Sequence, residues 1–123
     1  MARNPHLYGE LYMKPNAKRL RQSSKPLVNE LEREWLSLIC NGDRCHSIKA
    51  QAIRFRLGNG IWYKPDFTGY QDGQLTAWEV KGPHAFRGGF ENLKVAAATF
   101  LEWQWILVWK DDKGCWQHQM VLP

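Results

Sequence analysis

The feature that most constrains the fold is a predicted β-hairpin at residues 63–82. Asp72-Gly73 separates two runs of strand-forming residues, and this pair in such a setting is a strong signal of a two-residue turn. With that turn, Asp66 is predicted to lie directly opposite Glu79. Side chains that face each other on neighbouring strands have Cβ atoms about 4.5–5.5 Å apart. Two carboxylates at this spacing repel each other, and a divalent cation bound by both is the simplest reason for such a pair.

The two-residue period of a strand separates the side chains of this hairpin into two faces. Asp66, Glu79 and Lys81 are predicted to share one face. The opposite face is predicted to be the buried one and carries Phe67, Trp78 and Val80. Pro65 has no amide hydrogen, so the register beside Asp66 could instead slip by one residue, which would turn Asp66 to the core face.

The charge of the chain favours a polyanionic partner. Its 123 residues carry a net charge of +5 and an isoelectric point of about 9.3, which is typical of nucleic-acid-binding proteins as well as of modestly basic proteins that bind no nucleic acid. Residues 13–26 contain five lysine or arginine residues and no acid. We therefore divide the chain into a basic N-terminal arm, residues 1–26, and a single domain, residues 27–123. The arm either follows a phosphate backbone or is a solvated tail.

Location and membrane association are constrained by apolar runs and cysteines. No run reaches the ~18 apolar residues of a membrane span. Residues 1–6 lack the apolar core of a secretion signal. The three cysteines are an odd number without framework spacing, which suits a reducing compartment. We expect a cytoplasmic protein that does not bind membranes.

Two amphipathic segments are predicted to be helices. Residues 27–40 carry an apolar stripe at helical spacing, with three glutamates around it. Glu32 lies at one edge of the stripe, Glu34 flanks the other edge, and Glu30 lies further out. The second helix is predicted at residues 90–100. Strands are expected at residues 47–57, 103–109 and 115–121, with a second hairpin turn at Gly58-Asn59-Gly60.

Basic side chains outside the hairpin are candidate contacts to nucleic acid. Arg54 and Arg56 are two residues apart in a predicted strand and share a face, although they could equally be ordinary exposed residues. His84 and Arg87 lie in the glycine-rich loop that follows the acidic pair. Lys94 lies one helical turn beyond that loop, so it could point toward the same place.

Three short motifs occur in an informative order. They read Tyr63-Lys64-Pro65-Asp66-Phe67, Glu79-Val80-Lys81-Gly82 and Lys94-Val95-Ala96-Ala97. Together they resemble the PD-(D/E)xK nuclease superfamily, and most closely its small phage-type endonuclease and Holliday-junction-resolvase-like domains. The resemblance covers roughly residues 29–108. It implies an α/β fold with a three-layer, restriction-endonuclease-like core, in which a mixed sheet of about five strands is flanked by helices in the order α-β-β-β-α-β-β.

The resemblance also implies a role for each motif residue. Asp66 and Glu79 would bind Mg²⁺, with Mn²⁺ able to substitute, and the Val80 carbonyl would be a third ligand. Lys81 would be the catalytic lysine that positions or activates the attacking water. Glu32 would complete the site from the first helix, with Glu34 and Glu30 as alternatives. Lys94 would face the substrate.

The implied function is magnesium-dependent endonucleolytic hydrolysis of DNA phosphodiester bonds, in the host cytoplasm if the protein is phage-encoded. Two alternatives stay open: a non-catalytic nucleic-acid-binding domain with a nuclease-like fold, and a structural or protein-interaction module. The sequence does not distinguish a four-way junction, a flap, a single strand or a duplex as substrate. Junction cutting would call for a symmetric homodimer.

Overall fold

The computed structural model describes residues 27–40, 42–82 and 90–123. The predicted basic arm, His84 and Arg87 lie outside these described residues. The elements in chain order are α1 (Glu30–Cys40), β1 (Cys45–Ala50), β2 (Phe55–Gly58), β3 (Ile61–Tyr63), β4 (Phe67–Gln71), β5 (Gln74–Lys81), α2 (Phe90–Thr99), β6 (Gln104–Lys110) and β7 (Trp116–Met120). Neither helix in these ranges has the length and apolar content needed to cross a bilayer.

The strands form one large and one small sheet. The large sheet has five strands in the order β1-β4-β5-β6-β7, and β2 pairs with β3 in a separate two-stranded sheet. Strands β5 and β6 are parallel, whereas the other neighbours in the large sheet are antiparallel. A parallel pair needs a crossover connection, and α2 lies within it. The predicted α/β class, with a mixed five-stranded sheet and helices, is confirmed.

Apolar side chains cover both faces of the large sheet. On one face α1 packs in a cluster of Trp35, Phe67, Trp78, Val80, Ile106 and Val108. On the other face α2 and the small sheet pack in a cluster that includes Phe55, Tyr63, Ala77, Leu93, Trp105 and Leu107. Because β5 alternates between these clusters, the central hairpin has core on both sides. The expectation of only one core face was therefore wrong, and Glu79 lies on a covered face with only 6% of its surface exposed.

The central hairpin has the register that its turn predicts. Asp72 and Gly73 have φ angles of 53° and 78°, the left-handed values that a type I′ turn requires at both positions. Pairing then runs from Gln71↔Gln74 outward to Phe67↔Trp78 without a shift. This register brings Asp66, the residue before β4, to the level of Glu79.

The predicted order of elements was wrong between the two helices, where five strands occur instead of three. The predicted strand at residues 47–57 breaks at 51–54, where Gln51 has a φ of 47° and its amide donates to the Asp66 carbonyl at 3.0 Å. Pro65, buried and without an amide hydrogen, separates β3 from β4. The first helix begins at Glu30 rather than at residue 27, because Asn29 caps it.

Gly69 of β4 allows β1 to approach closely at a bulge between His46 and Lys49. A Cβ at residue 69 would lie 3.0 Å from the His46 carbonyl oxygen and 3.0 Å from the Ile48 Cα. Both are backbone atoms, so they cannot move aside as a side chain would.

We therefore expect Gly69→Ala to lower the free energy of unfolding by about 1–3 kcal/mol, the usual effect of overpacking. Urea denaturation measures this change. Gly42→Ala is the matched control, because its Cβ would lie 3.9 Å from the nearest atom. Equal stability of the two variants would contradict the close approach of β1 to β4.

Candidate functional site

Asp66 is held in place by two backbone hydrogen bonds. Its Oδ2 accepts from the Val80 amide at 2.8 Å, and its own carbonyl accepts from Gln51 at 3.0 Å. The Asp66 carboxylate thus accepts a hydrogen bond from β5 just beyond Phe67↔Trp78, the last residue pair of the β4–β5 ladder. The first bond ties Asp66 to β5, so the aspartate is fixed beside the strand that carries Glu79 and Lys81.

Both carboxylate oxygens of Glu79 have partners. Oε2 accepts a hydrogen bond from the Tyr63 hydroxyl. Oε1 lies 3.5 Å from the Lys81 ammonium nitrogen, whose side chain is 21% exposed. A buried charge is tolerated when it is paired and hydrogen-bonded, and these two partners meet that requirement. The alternation of β5 places Glu79 and Lys81 on the same side, as predicted.

Tyr63 is the site residue that the sequence reasoning missed. Its only signal was its place as the first residue of the Tyr-x-Pro-Asp-Phe motif. It ends β3 and is 6% exposed. Burial first, and then the negative charge of Glu79, raise the pKa of Tyr63 far above its usual range. Tyr63 therefore remains a neutral donor to Glu79 at any physiological pH.

Glu32 joins the site from the first turn of α1. Its Oε1 accepts from the Asn29 amide at 2.9 Å, and the Asn29 Oδ1 accepts from the Glu32 amide at 2.8 Å. This reciprocal pair is a capping box, which fixes both the start of α1 and the place of the glutamate. Glu32 is buried, and its carboxyl group interacts electrostatically with that of Asp66. Burial and then the Asp66 charge raise its pKa, against the effect of the Asn29 amide.

The two alternative glutamates of α1 lie elsewhere. Glu34 forms an ion pair with Lys110, whose nitrogen is 2.8 Å from Oε1. Glu30 is exposed at the start of the helix. Of the three candidates that the sequence left open, Glu32 is the one that the structure brings to Asp66.

Asp66 is the electrostatic centre of this cluster. Burial first, and then the charge of Glu79, raise its pKa to about 6. Its carboxyl group interacts electrostatically with those of both Glu79 and Glu32. Carboxylates accept hydrogen bonds but donate none when ionised, so neighbouring carboxyl groups are stable only with a shared proton or a cation between them.

The carboxylates of this cluster suit a metal ion that takes only a few of its ligands from the protein. Across residues 27–40, 42–82 and 90–123, no three His, Cys, Asp or Glu side chains are arranged to hold a metal ion by themselves. Mg²⁺, however, keeps several waters and commonly uses one or two carboxylates. Asp66 and Glu79 supply two, and their mutual repulsion favours a cation. Val80 contacts Asp66 through its amide, and the role of its carbonyl as a ligand stays a prediction.

Three of the predicted nucleic-acid contacts, Lys94, Arg54 and Arg56, lie within the described residues. Lys94 is exposed on α2, with its ammonium nitrogen 4.7 Å from the centre of the Phe90 ring. Arg54 and Arg56 are exposed at the small sheet, and the Arg54 guanidinium carbon lies 5.2 Å from the centre of a Trp62 ring. Arg54 lies in the break before β2 and Arg56 lies within it, so the shared face of the two arginines stays a prediction.

The raised pKa of Asp66 makes stability depend on pH. The folded chain binds a proton that the unfolded chain has released between about pH 4 and pH 6. Stability therefore falls as the pH rises through this window. Without metal, we expect Asp66→Asn to raise the free energy of unfolding at pH 7.5 by on the order of 2 kcal/mol, and to change it little at pH 4.

Urea denaturation in the presence of a chelator at the two pH values measures this effect. Asp72→Asn is the matched control: a hydrogen bond and the charge of Arg44 lower the pKa of Asp72, so this variant should not gain stability at pH 7.5. A stability difference between Asp66→Asn and wild type that does not change with pH would contradict the assigned environment of Asp66.

Comparisons with protein-family models, with curated proteins and with solved structures found no match to this chain. The resemblance to PD-(D/E)xK nucleases therefore rests on the motif residues alone. The geometry that bears on it is the meeting of Asp66, Glu79, Lys81 and Glu32 at one end of β5.

Proposed function

We propose that this chain is a magnesium-dependent endonuclease that hydrolyses DNA phosphodiester bonds, with the chemistry of the PD-(D/E)xK superfamily. The observation that carries the proposal is the register of one hairpin, which brings Asp66 on one arm to the level of Glu79 on the other and bonds the Asp66 carboxylate to the Val80 amide, with the Lys81 ammonium group 3.5 Å from Glu79. Two adjacent acids and a lysine are the groups that metal-assisted phosphoryl transfer requires.

The charge balance of the site supports a requirement for a metal. Three carboxyl groups, from Glu32, Asp66 and Glu79, face one ammonium group, from Lys81. A DNA phosphate brought to this cluster would add another negative charge at short range, where the interaction is weakly screened. A bound divalent cation would reverse the local charge, neutralise the phosphate and make a water more acidic.

Each side chain has a distinct task in the proposed reaction. Asp66 and Glu79 would hold the cation, and the Val80 amide and the Tyr63 hydroxyl orient these two carboxylates. Hydrolysis adds a water oxygen to phosphorus and breaks a P–O bond, so negative charge grows on the phosphate oxygens. The Lys81 ammonium can donate hydrogen bonds to the attacking water or to those oxygens. Glu32, which interacts with Asp66, adds a third acidic side chain to the site.

The topology also supports the finer proposal of a restriction-endonuclease-like core. Helices α1 and α2 cover opposite faces of the mixed sheet, which makes three layers. The acids lie at the ends of β4 and β5, two neighbouring strands near the middle of that sheet. Of these groups, Lys81 is partly exposed, with 21% of its side chain accessible, whereas Glu79 is buried.

We expect Asp66→Asn and Lys81→Ala each to lower the rate of Mg²⁺-dependent DNA cleavage by at least about a hundredfold, because each removes several kcal/mol of transition-state stabilisation. Nicking of supercoiled plasmid and cleavage of labelled duplex, flap and junction DNA measure this loss. Circular dichroism verifies that each variant is folded. Wild-type protein that binds DNA but cleaves none of these substrates with Mg²⁺ or Mn²⁺ would instead support the non-catalytic alternative.

The glutamates of α1 allow a second, internally controlled experiment. Glu32→Gln keeps an oxygen for the Asn29 amide but removes the negative charge beside Asp66, so cleavage should fall by about tenfold or more. Glu34→Gln changes the same residue type on the same helix at the exposed pair with Lys110, and cleavage should stay near the wild-type rate. Equal rates for the two variants would exclude Glu32 from the site.

A further inference from the structure

The hairpin formed by β2 and β3 has one buried and one exposed face. Phe55 pairs with Tyr63, and both side chains are buried in the core. Arg56 pairs with Trp62, and both are exposed. The exposed fraction of Trp62 is 52%, which is large for a side chain with so much apolar surface. The inner face of the hairpin packs into the core, so the outer tryptophan is not needed to bury the hairpin.

The charged residues of the hairpin and its two flanks are all basic. Residues 52–65 contain Arg54, Arg56 and Lys64 and no acid, and all three cations are exposed. The Arg54 guanidinium carbon lies 5.2 Å from the centre of a Trp62 ring, so a cation holds the indole in place while about half of its surface stays accessible. This combination of an aromatic platform and cations is complementary to nucleobases linked by phosphates.

The same hairpin is coupled to the carboxyl cluster. Tyr63, the neighbour of Trp62, donates from the inner face to Glu79. Lys64 precedes Asp66 by two residues. A nucleic-acid strand bound on the outer face would therefore contact the strand whose last residue, Tyr63, donates to Glu79 and whose chain continues directly to Asp66.

The exposed indole favours an unpaired strand over a duplex. In a duplex the bases are stacked on one another and present only their edges in the grooves. An aromatic side chain can stack only on a base that has left the helix or was never in it. We propose, on the basis of the proposed nuclease function, that Trp62 stacks on an unpaired base of the DNA substrate while Arg54, Arg56 and Lys64 contact its phosphates. The preferred substrates are then those with single-stranded segments beside the cleavage site.

Binding experiments without metal test this surface independently of cleavage. Fluorescence anisotropy, in the presence of a chelator, compares a labelled fifteen-nucleotide thymidine oligomer with a duplex of the same length. Trp62→Ala should weaken binding of the single strand by about tenfold, the usual effect of losing one stacked base, and should change duplex binding by less than twofold. Ile61→Ala is the matched control, since Ile61 is 49% exposed on the same strand, and it should leave single-strand binding unchanged.

The salt dependence separates stacking from charge. Arg56→Gln should reduce the slope of log affinity against log salt concentration by about 0.7, the value for one lost phosphate contact on a single strand. Trp62→Ala should lower the affinity and leave this slope at the wild-type value. An unchanged affinity of Trp62→Ala for the single strand, or an equal loss with the duplex, would overturn the proposal.

A third variant keeps this inference distinct from the proposed function. Asp66→Asn should bind the single-stranded oligomer at least as well as wild type, because it removes one negative charge. If the wild-type protein cleaves no DNA but the Trp62 results hold, the proposed nuclease activity fails and the binding surface stands. If it cleaves plain duplex, and Trp62→Ala binds single strands as wild type does, the nuclease stands and the surface fails.

Discussion

The electrostatic interaction between Asp66 and Glu79 is the constraint around which the candidate site is arranged. Asp66 is half-buried and Glu79 is buried, and burial together with the Glu79 charge raises the pKa of Asp66 to about 6. The neighbouring elements supply what this interaction needs: an amide from Val80, a hydroxyl from Tyr63 and an ammonium group from Lys81. Side chains whose pKa is shifted by burial and by a neighbouring charge are common at functional sites.

The residues that position Asp66, Glu79 and Glu32 come from several parts of the chain. The turn at Asp72-Gly73 sets the register, the capping box at Asn29 and Glu32 brings in α1, and the small sheet contributes Tyr63. Each support also has an ordinary structural purpose in its own element. The site is therefore formed by the same hydrogen bonds that begin a helix or close a hairpin, together with a left-handed Gln51 whose amide donates to the Asp66 carbonyl.

The sequence was informative where local chemistry decides the structure. An Asp-Gly turn and a two-residue period were enough to predict that Asp66, Glu79 and Lys81 lie together. The choice of Glu32 among the three glutamates came from the motif resemblance, and Glu32 is the one whose carboxyl group interacts with Asp66. The break at residues 51–54 and the separate β2–β3 sheet were not predictable, because they depend on a left-handed Gln51 and on tertiary packing of Phe55. Tyr63 was missed for the same reason: its partner is 16 residues away in the chain.

The position of Tyr63 has a mechanical consequence. Its backbone belongs to a two-stranded sheet that has no ladder bonds to the large sheet, while its hydroxyl is bonded to a carboxylate of the large sheet. A small tilt of the β2–β3 hairpin would therefore move the hydroxyl relative to Glu79 without breaking any strand pairing. One phenol ring thus joins the outer hairpin mechanically to an acid of the large sheet.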